Sequence, residues 1–151
     1  MNIVNLEEMP KGFAFCTNDK CPKHEMCLHW TAYKQHPVIE KAYFYDPRWT
    51  DANGGGQGCP NFADCTPVVC AVGFKHLYDN LPQNQADKLR VRLTDEFGQY
   101  NYFRYRRGEF LMPPAVQNTI IDIAAEMGIT TPIAFDGYTE KVIWSNHKIK
   151  V

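Results

Sequence analysis

The sequence lacks a long apolar run, a large excess of charge of either sign, and any low-complexity tract. No stretch approaches the roughly 18 consecutive apolar residues that cross a bilayer as a helix. The amino terminus, MNIVNLEEMPKGFAF, has no basic start followed by an apolar segment. The 16 Lys and Arg residues nearly balance the 17 Asp and Glu residues, which excludes the strong overall basicity typical of nucleic-acid-binding proteins. These absences predict a globular, cytoplasmic protein that does not bind membranes.

Cysteine is plentiful, but the common metal-binding spacings are missing. Neither CxxC, typical of zinc knuckles, nor the ferredoxin run CxxCxxC is present. Instead, six cysteines form two groups of three that share the element CPxxxxC: Cys16, Cys21 and Cys27 in CTNDKCPKHEMC, and Cys59, Cys65 and Cys70 in CPNFADCTPVVC. In a reducing cytoplasm, clustered thiols hold a metal more often than they form disulfides. The grouping therefore favours a metal site with all six cysteines as candidate ligands.

Zinc is the metal that these thiols favour, since a structural zinc ion takes four soft ligands in a tetrahedron. Each group could give two or three thiolates while the other group closes the site. Because six ligands exceed the need of one ion, either two thiols are spare, or His24 and His29 join a second site, or four cysteines hold an iron–sulfur cluster. Disulfides, a redox-active thiol pair and ordinary buried cysteines are the remaining alternatives.

The 151 residues suit one compact domain of the α+β class with a Cys-rich metal-binding region over residues 1–80. Two short helices are predicted there. The first follows Cys21 and contains Cys27; the second begins at Thr66 and Pro67 and contains Cys70. Between them, VIEKAYFYDPRWT predicts a short strand, and the glycine-rich DANGGGQG predicts a mobile loop.

Residues 81–151 predict a helix, a strand and a second helix, followed by short C-terminal strands. The first helix begins at Pro82 and repeats Leu89, Leu93 and Phe97 at helical spacing before Gly98. The run QYNYFRYRR alternates like a strand, AVQNTIIDIAAEMG has helical periodicity, and TPIAFDGYTEKVIW is typical of extended structure.

The predicted strand QYNYFRYRR is both basic and aromatic, and it lies in a segment with a local charge of +4 between Lys88 and Arg107. Its aromatic rings could stack on single-stranded bases while the arginines contact phosphates, or the arginines could meet an acidic protein surface. The alternative is that the rings belong to the core and the arginines pair with Glu109 or Asp122. The predicted binding surface consists of Tyr100, Tyr102, Arg104, Arg106 and Arg107.

The chain resembles an uncharacterised Cys-rich bacterial family of unknown function, whose members carry GFAxCxNxxCPxxxxCLR early and YYRYRRGE late. The matching segments here are residues 12–28, 73–81 and 97–128, together with the tail FDGYTEKVIW. His29 stands where the family has Arg. The resemblance implies no activity, and no site residue can be transferred from it.

Taken together, the residues favour a zinc-stabilised cytoplasmic module that binds a protein or a nucleic acid, rather than an enzyme. An iron–sulfur or thiol-based redox protein is the main alternative. A structural, partner-binding domain without metal is a further one.

Overall fold

A computed structural model of the protein describes residues 2–52 and 59–144, and its contacts divide these residues into two units. Unit 1 comprises the described residues of Met1–Pro67 and Val142–Asn146, and unit 2 comprises Val68–Lys141. Unit 1 contains five of the cysteines, and unit 2 contains Cys70.

Unit 1 is built from short elements joined by isolated bridges. It contains two single-turn 3-10 helices, Leu6–Glu8 and His24–Met26, and two α-helices, α1 (Leu28–Gln35) and α2 (Pro47–Ala52). Its apolar cluster centres on the buried residues Val4, Leu28 and Cys65. Phe13 and Trp144 pack against this cluster, with their rings edge to face at 5.1 Å.

Unit 2 holds a larger core between a two-stranded sheet and three helices. Its elements are β1 (Val68–Val72), α3 (Gln83–Phe97), α4 (Gln99–Arg106), α5 (Pro114–Glu126) and β2 (Gly137–Lys141). The strands are antiparallel, with Val68 opposite Lys141 and Val72 opposite Gly137. The fully buried members of the core include Phe74, Leu89, Leu93, Met112 and Ile120.

The predicted α+β class is confirmed, as are the helices of residues 83–97 and 114–126 and an extended C-terminal segment. Leu89 and Leu93 face the core of unit 2 from α3, as their spacing predicts. Within residues 2–52 and 59–144, none of the helices has the length and apolar character that crossing a membrane requires.

The predicted helix over residues 66–78 is wrong, because this segment forms β1 and then a turn. Valine is stiff at χ1 and fits a pleated sheet better than a helix, and three of the five β1 residues are valines. Gly73 then adopts φ 75°, which ends the strand. Cys70 consequently lies in a strand rather than inside a helix.

The predicted strand over QYNYFRYRR is also wrong, because residues 99–106 form α4. Gly98, with φ 77°, separates α4 from α3 and lets the chain change direction between two helices. On α4, Tyr102 and Tyr105 are three residues apart and are both buried in the core of unit 2. Burial of these two rings outweighs the strand propensity of the aromatic run.

Two predictions around the cysteines need smaller corrections. Cys27 was predicted to lie inside the first helix, but it precedes α1 in an extended conformation. The segment VIEKAYFYDPRWT contributes one parallel bridge, Phe44 with Phe15, and then α2. The predicted loop DANGGGQG starts with the last two residues of α2, and its residues 53–58 lie outside the described residues.

Two glycines with nearly the same positive φ provide a test of unit 2. A Cβ on Gly73 (φ 75°) would lie 2.8 Å from Asp136 Oδ2 and 3.3 Å from the Arg106 carbonyl, whereas a Cβ on Gly98 (φ 77°) meets nothing within 4 Å. We expect Gly98→Ala to lose about 1–3 kcal/mol of stability, because its φ of 77° and ψ of 151° lie in a backbone region almost confined to glycine. Gly73→Ala should lose more, because the Asp136 carboxylate that accepts from the Lys75 N–H at 2.8 Å must move. Urea unfolding measures both losses, and equal losses would contradict this account.

Candidate metal centre

Four of the six cysteines line a single cavity in unit 1. Cys16, Cys21, Cys27 and Cys59 share it with Asn18, His24, Trp30, Thr50 and Phe62. The cavity thus joins all three cysteines of the first group to one cysteine of the second.

The size of this cavity limits what it can hold. Its volume is about 30 Å³, which is close to the share of one water molecule in the liquid. Pockets for organic ligands are about ten times larger or more. The cavity therefore fits one ion rather than an organic substrate.

The three cysteines of the first group reach the cavity because consecutive turns fold residues 16–27 back on themselves. The Cys21 N–H donates to the Asn18 carbonyl at 3.3 Å, and the Asn18 side chain accepts from the Lys20 N–H at 3.0 Å. The His24 N–H then donates to the Cys21 carbonyl at 3.1 Å, and the Cys27 N–H donates to the His24 carbonyl at 3.0 Å. Each turn brings the next cysteine back towards the same side of the loop.

Cys59 reaches the cavity through a backbone bridge between its own segment and residues 26–28. The Leu28 N–H donates to the Ala63 carbonyl at 2.7 Å, and the Cys65 N–H donates to the Met26 carbonyl at 3.0 Å. A turn in which the Phe62 N–H donates to the Cys59 carbonyl at 3.2 Å connects Cys59 to this bridge. Two stretches that are distant in sequence are thereby held side by side.

Two aromatic side chains in the wall of the cavity are held in place by hydrogen bonds. His24 Nδ1 lies 2.6 Å from the Cys21 carbonyl, and the imidazole packs edge to face on Trp30 at 4.5 Å. Trp30 Nε1 donates to Asp19 at 2.8 Å, and Asp19 also pairs with Lys34 at 3.0 Å. The His24 ring is therefore held by a backbone carbonyl, and the Trp30 ring is held by Asp19, which lies outside the cavity lining.

The electrostatics of the cavity disfavour the thiolate form of Cys16. Burial raises the pKa of the Cys16 thiol, and the sulfurs of Cys27, Cys21 and Cys59 raise it further. The backbone N–H of Asn18 opposes these effects by donating to the Cys16 sulfur. A bound cation reverses the penalty that neighbouring thiolates impose on one another.

The sulfurs line the cavity without forming a finished coordination site. As the side chains stand in residues 2–52 and 59–144, no group of three or more His, Cys, Asp or Glu residues is arranged to hold a metal ion. All six cysteines are free thiols.

The other two predicted ligands lie elsewhere. Cys65 is fully buried in the apolar cluster of unit 1, where Thr31 Oγ1 donates to its sulfur at 3.9 Å. Cys70 is fully buried in β1 of unit 2, and burial raises the pKa of its thiol. Neither residue lines the cavity. Both have the burial of ordinary apolar core residues.

His29, the second candidate histidine, is outside the cavity lining. Its Nδ1 lies 2.6 Å from the Ala14 carbonyl, and its ring stacks on Phe13 at 4.4 Å. Burial lowers the pKa of His29, while hydrogen bonds to the backbone of Ala14 and Asn61 oppose this shift. His29 therefore uses its nitrogens for backbone contacts, and a second site built on both histidines is not assembled here.

The predicted basic-aromatic surface does not form one face. Tyr102 is 1% exposed, and its hydroxyl lies 2.8 Å from that of Tyr78, whereas Tyr100 is 64% exposed. Arg104 and Arg107 both pair with Glu109, as the alternative interpretation predicted for arginines in this segment.

Arg106, the remaining member of the predicted surface, is only partly exposed. Its Nε is buried without a hydrogen-bond partner among the residues that the structure describes. Glu109 therefore offsets part of the positive charge around α4, and the Nε atom of Arg106 is shielded from solvent.

Sequence reasoning missed the residues that shape the wall of the cavity, namely Asn18, Trp30, Thr50 and Phe62. Asn18 had a readable signal, because asparagine side chains commonly accept from the backbone two residues later and so form turns. The positions of Trp30, Thr50 and Phe62 depend on tertiary packing that no spacing reveals.

Comparison with known proteins gives one match. A family model described as Family of unknown function (DUF6078) matches residues 1–144. This confirms the resemblance to an uncharacterised family. No curated protein and no solved structure matches the chain significantly.

The burial of the thiols predicts a pattern of chemical modification. In native protein treated with iodoacetamide and a metal chelator, we expect modification of Cys16, Cys21 and Cys59, which are partly exposed. Cys65 and Cys70 should stay unmodified, because both are 0% exposed. Peptide mass spectrometry measures the extent at each site. If Cys65 is modified as fast as Cys16, the two thiols are equally accessible to solvent, which would contradict this prediction.

Proposed function

The chain belongs to this family of unknown function, and we propose that its unit 1 is a zinc-stabilised binding module with Cys16, Cys21, Cys27 and Cys59 as ligands. The observation that carries the proposal is the single ion-sized cavity lined by these four cysteines. Four thiolates are the complete ligand set of many structural zinc sites.

Zinc is favoured over an iron–sulfur cluster by the volume of the cavity. A [2Fe–2S] or [4Fe–4S] cluster contains several iron and sulfide atoms, whereas the cavity of about 30 Å³ has room for one ion. Thiolates are soft ligands that suit zinc and copper(I), and tetrahedral sulfur coordination is typical of zinc. The iron–sulfur alternative requires the cavity to expand.

Closing the site requires the sulfurs to move inward from the cavity wall. A cysteine side chain has one torsion with three staggered positions, so its sulfur can change direction while the backbone stays in place. In this proposal, the ion supplies the attraction that aligns the four sulfurs. The backbone turns and the bridge at Leu28 and Ala63 already hold the four residues around one point.

The small apolar cluster of unit 1 explains why this part of the chain would need a metal. The cluster has Val4, Leu28 and Cys65 as its buried members, whereas the cluster of unit 2 has sixteen buried residues. Small units with little apolar core are commonly stabilised by disulfides or metals. In zinc-finger peptides, metal binding contributes roughly 10–16 kcal/mol, which appears as folding free energy. A zinc ion that joins residues 16–27 to Cys59 would supply stability that the apolar cluster does not.

Binding of a macromolecule is the proposed role of the module, because the cavity is too small for an organic substrate. A protein partner is better supported than a nucleic acid. Tyr102 is buried, and Arg104 and Arg107 share Glu109, so α4 offers few free cations for phosphate contacts. A cytoplasmic location stays a prediction from the amino-terminal sequence.

Zinc content tests the ligand assignment, with two cysteines of the second group as a matched pair. We expect one zinc ion per chain in protein purified without oxygen, and Cys59→Ala should give up this zinc to a chelator more readily than the parent, because a thiolate ligand is removed. Cys65→Ala should keep the zinc, since Cys65 is buried in the apolar cluster. It should lose only about 2 kcal/mol or less as a small core truncation. Elemental analysis for zinc and iron and thermal unfolding provide the measurements.

Two results would count against this proposal. If elemental analysis finds no stoichiometric metal, the proposed zinc site is wrong, and unit 1 is a binding domain with free cysteines. If the protein instead contains stoichiometric iron and sulfide, the iron–sulfur redox protein is the correct interpretation.

A labelled single-stranded RNA tests the choice of partner. Fluorescence anisotropy at 50 and 200 mM salt should show no salt-dependent binding, because Arg104 and Arg107 are both engaged in ion pairs with Glu109. Binding that weakens steeply with salt and is lost in Arg104→Gln would contradict the proposal of a protein partner.

A further inference from the structure

We infer that His24 is a reserve ligand of the proposed zinc site, able to replace Cys59 through its Nε2 atom. The inference rests on the proposed function, since it concerns the same ion. It gives the site a fifth donor, with Cys59 as the ligand that exchanges.

The first argument is the tautomer of His24. A carbonyl oxygen can only accept a hydrogen bond, so the Nδ1 atom that lies 2.6 Å from the Cys21 carbonyl must carry the proton. In the neutral imidazole, the lone pair is then on Nε2, the other ring nitrogen. Metal-binding histidines almost always donate their second nitrogen to a carbonyl or carboxylate in this way. His24 is therefore prepared to bind a cation through Nε2.

The second argument is the position of the ring. His24 is among the residues that line the cavity, and its edge-to-face contact with Trp30 at 4.5 Å restricts the ring orientation. His29 provides the contrast within the same unit. It also bonds a carbonyl through Nδ1, but it has an additional backbone partner at Asn61 and does not line the cavity.

The third argument is the order of donors along the chain. Cys21, His24 and Cys27 follow one another at intervals of three residues, and the turns of residues 16–27 hold them with Cys16 around the cavity. This one segment thus contains four donors, three sulfurs and one nitrogen. Cys59 is the cavity cysteine from a different segment, and so it is the ligand that can leave while the ion stays.

The exchange conserves electrons and leaves a defined product. The zinc–sulfur bond to Cys59 breaks, the Nε2 lone pair of His24 forms a zinc–nitrogen bond, and Cys59 departs as a thiolate that takes a proton from water. The charge of the zinc and its ligands changes from −2 to −1, because a neutral imidazole replaces a thiolate. Zinc stays bound, but it no longer links the two segments.

A double-mutant comparison tests this exchange. Zinc dissociation constants are measured by competition with a chromophoric chelator for the parent, His24→Ala, Cys59→Ala and the Cys59→Ala/His24→Ala pair. We expect Cys59→Ala to bind zinc about 10- to 100-fold more weakly than the parent, and His24→Ala to bind zinc more tightly than Cys59→Ala does. The pair should bind at least about tenfold more weakly still, because it lacks both the ligand and its replacement. Cys59→Ala/His36→Ala serves as the control and should match Cys59→Ala.

Nitrogen NMR of the histidine side chains gives a readout that does not depend on folding of the pair. In zinc-loaded Cys59→Ala, the Nε2 signal of His24 should shift to a metal-bound position, while in the parent it should not. Equal zinc affinity of Cys59→Ala and the pair, or an unshifted His24 signal in Cys59→Ala, would overturn the inference while leaving the zinc proposal in place. A parent that binds no zinc would instead overturn the proposed function.

Discussion

The backbone bridge between residues 26–28 and 63–65 is the constraint on which the account of unit 1 depends. The Leu28 N–H and the Cys65 N–H donate across it in opposite directions, to Ala63 and to Met26. The bridge fixes Cys27 at the start of α1 in an extended conformation. It also brings the segment of Cys59 beside the turns of residues 16–27. The meeting of four cysteines at one cavity is the outcome of these local hydrogen bonds.

The two units are stabilised in different ways. Unit 2 has a continuous apolar core in which the helices and the sheet bury large side chains, and such a core is sufficient for a small domain. Unit 1 has short helices, isolated bridges and a small apolar cluster. The proposed ion, bound by four thiolates, would add a cross-link to this architecture. Cys65 and Cys70 have no part in it, because each is already buried as a core residue.

The sequence was most informative where a local pattern decides the structure. The helices α3 and α5 carry apolar residues at helical spacing and begin or end at Pro and Gly, so their positions could be predicted. The strand β1 could not, because it pairs with β2, which lies far along the chain, and this pairing overrides the helix-start signal of Thr66 and Pro67. In α4, the alternation of Tyr100, Tyr102, Arg104 and Arg106 predicted a strand, although Tyr102 and Tyr105 also have the three-residue spacing of one helix face. For the site, the grouping of cysteines was visible, but the choice of four among six depends on the fold around the bridge.

X-ray absorption at the zinc edge of the purified protein tests the central claim most directly, because it counts and identifies the atoms bound to the metal. The account predicts four sulfur neighbours at about 2.3 Å from zinc in the parent protein. A zinc edge with only oxygen and nitrogen neighbours, or the absence of a stoichiometric zinc signal, would contradict it.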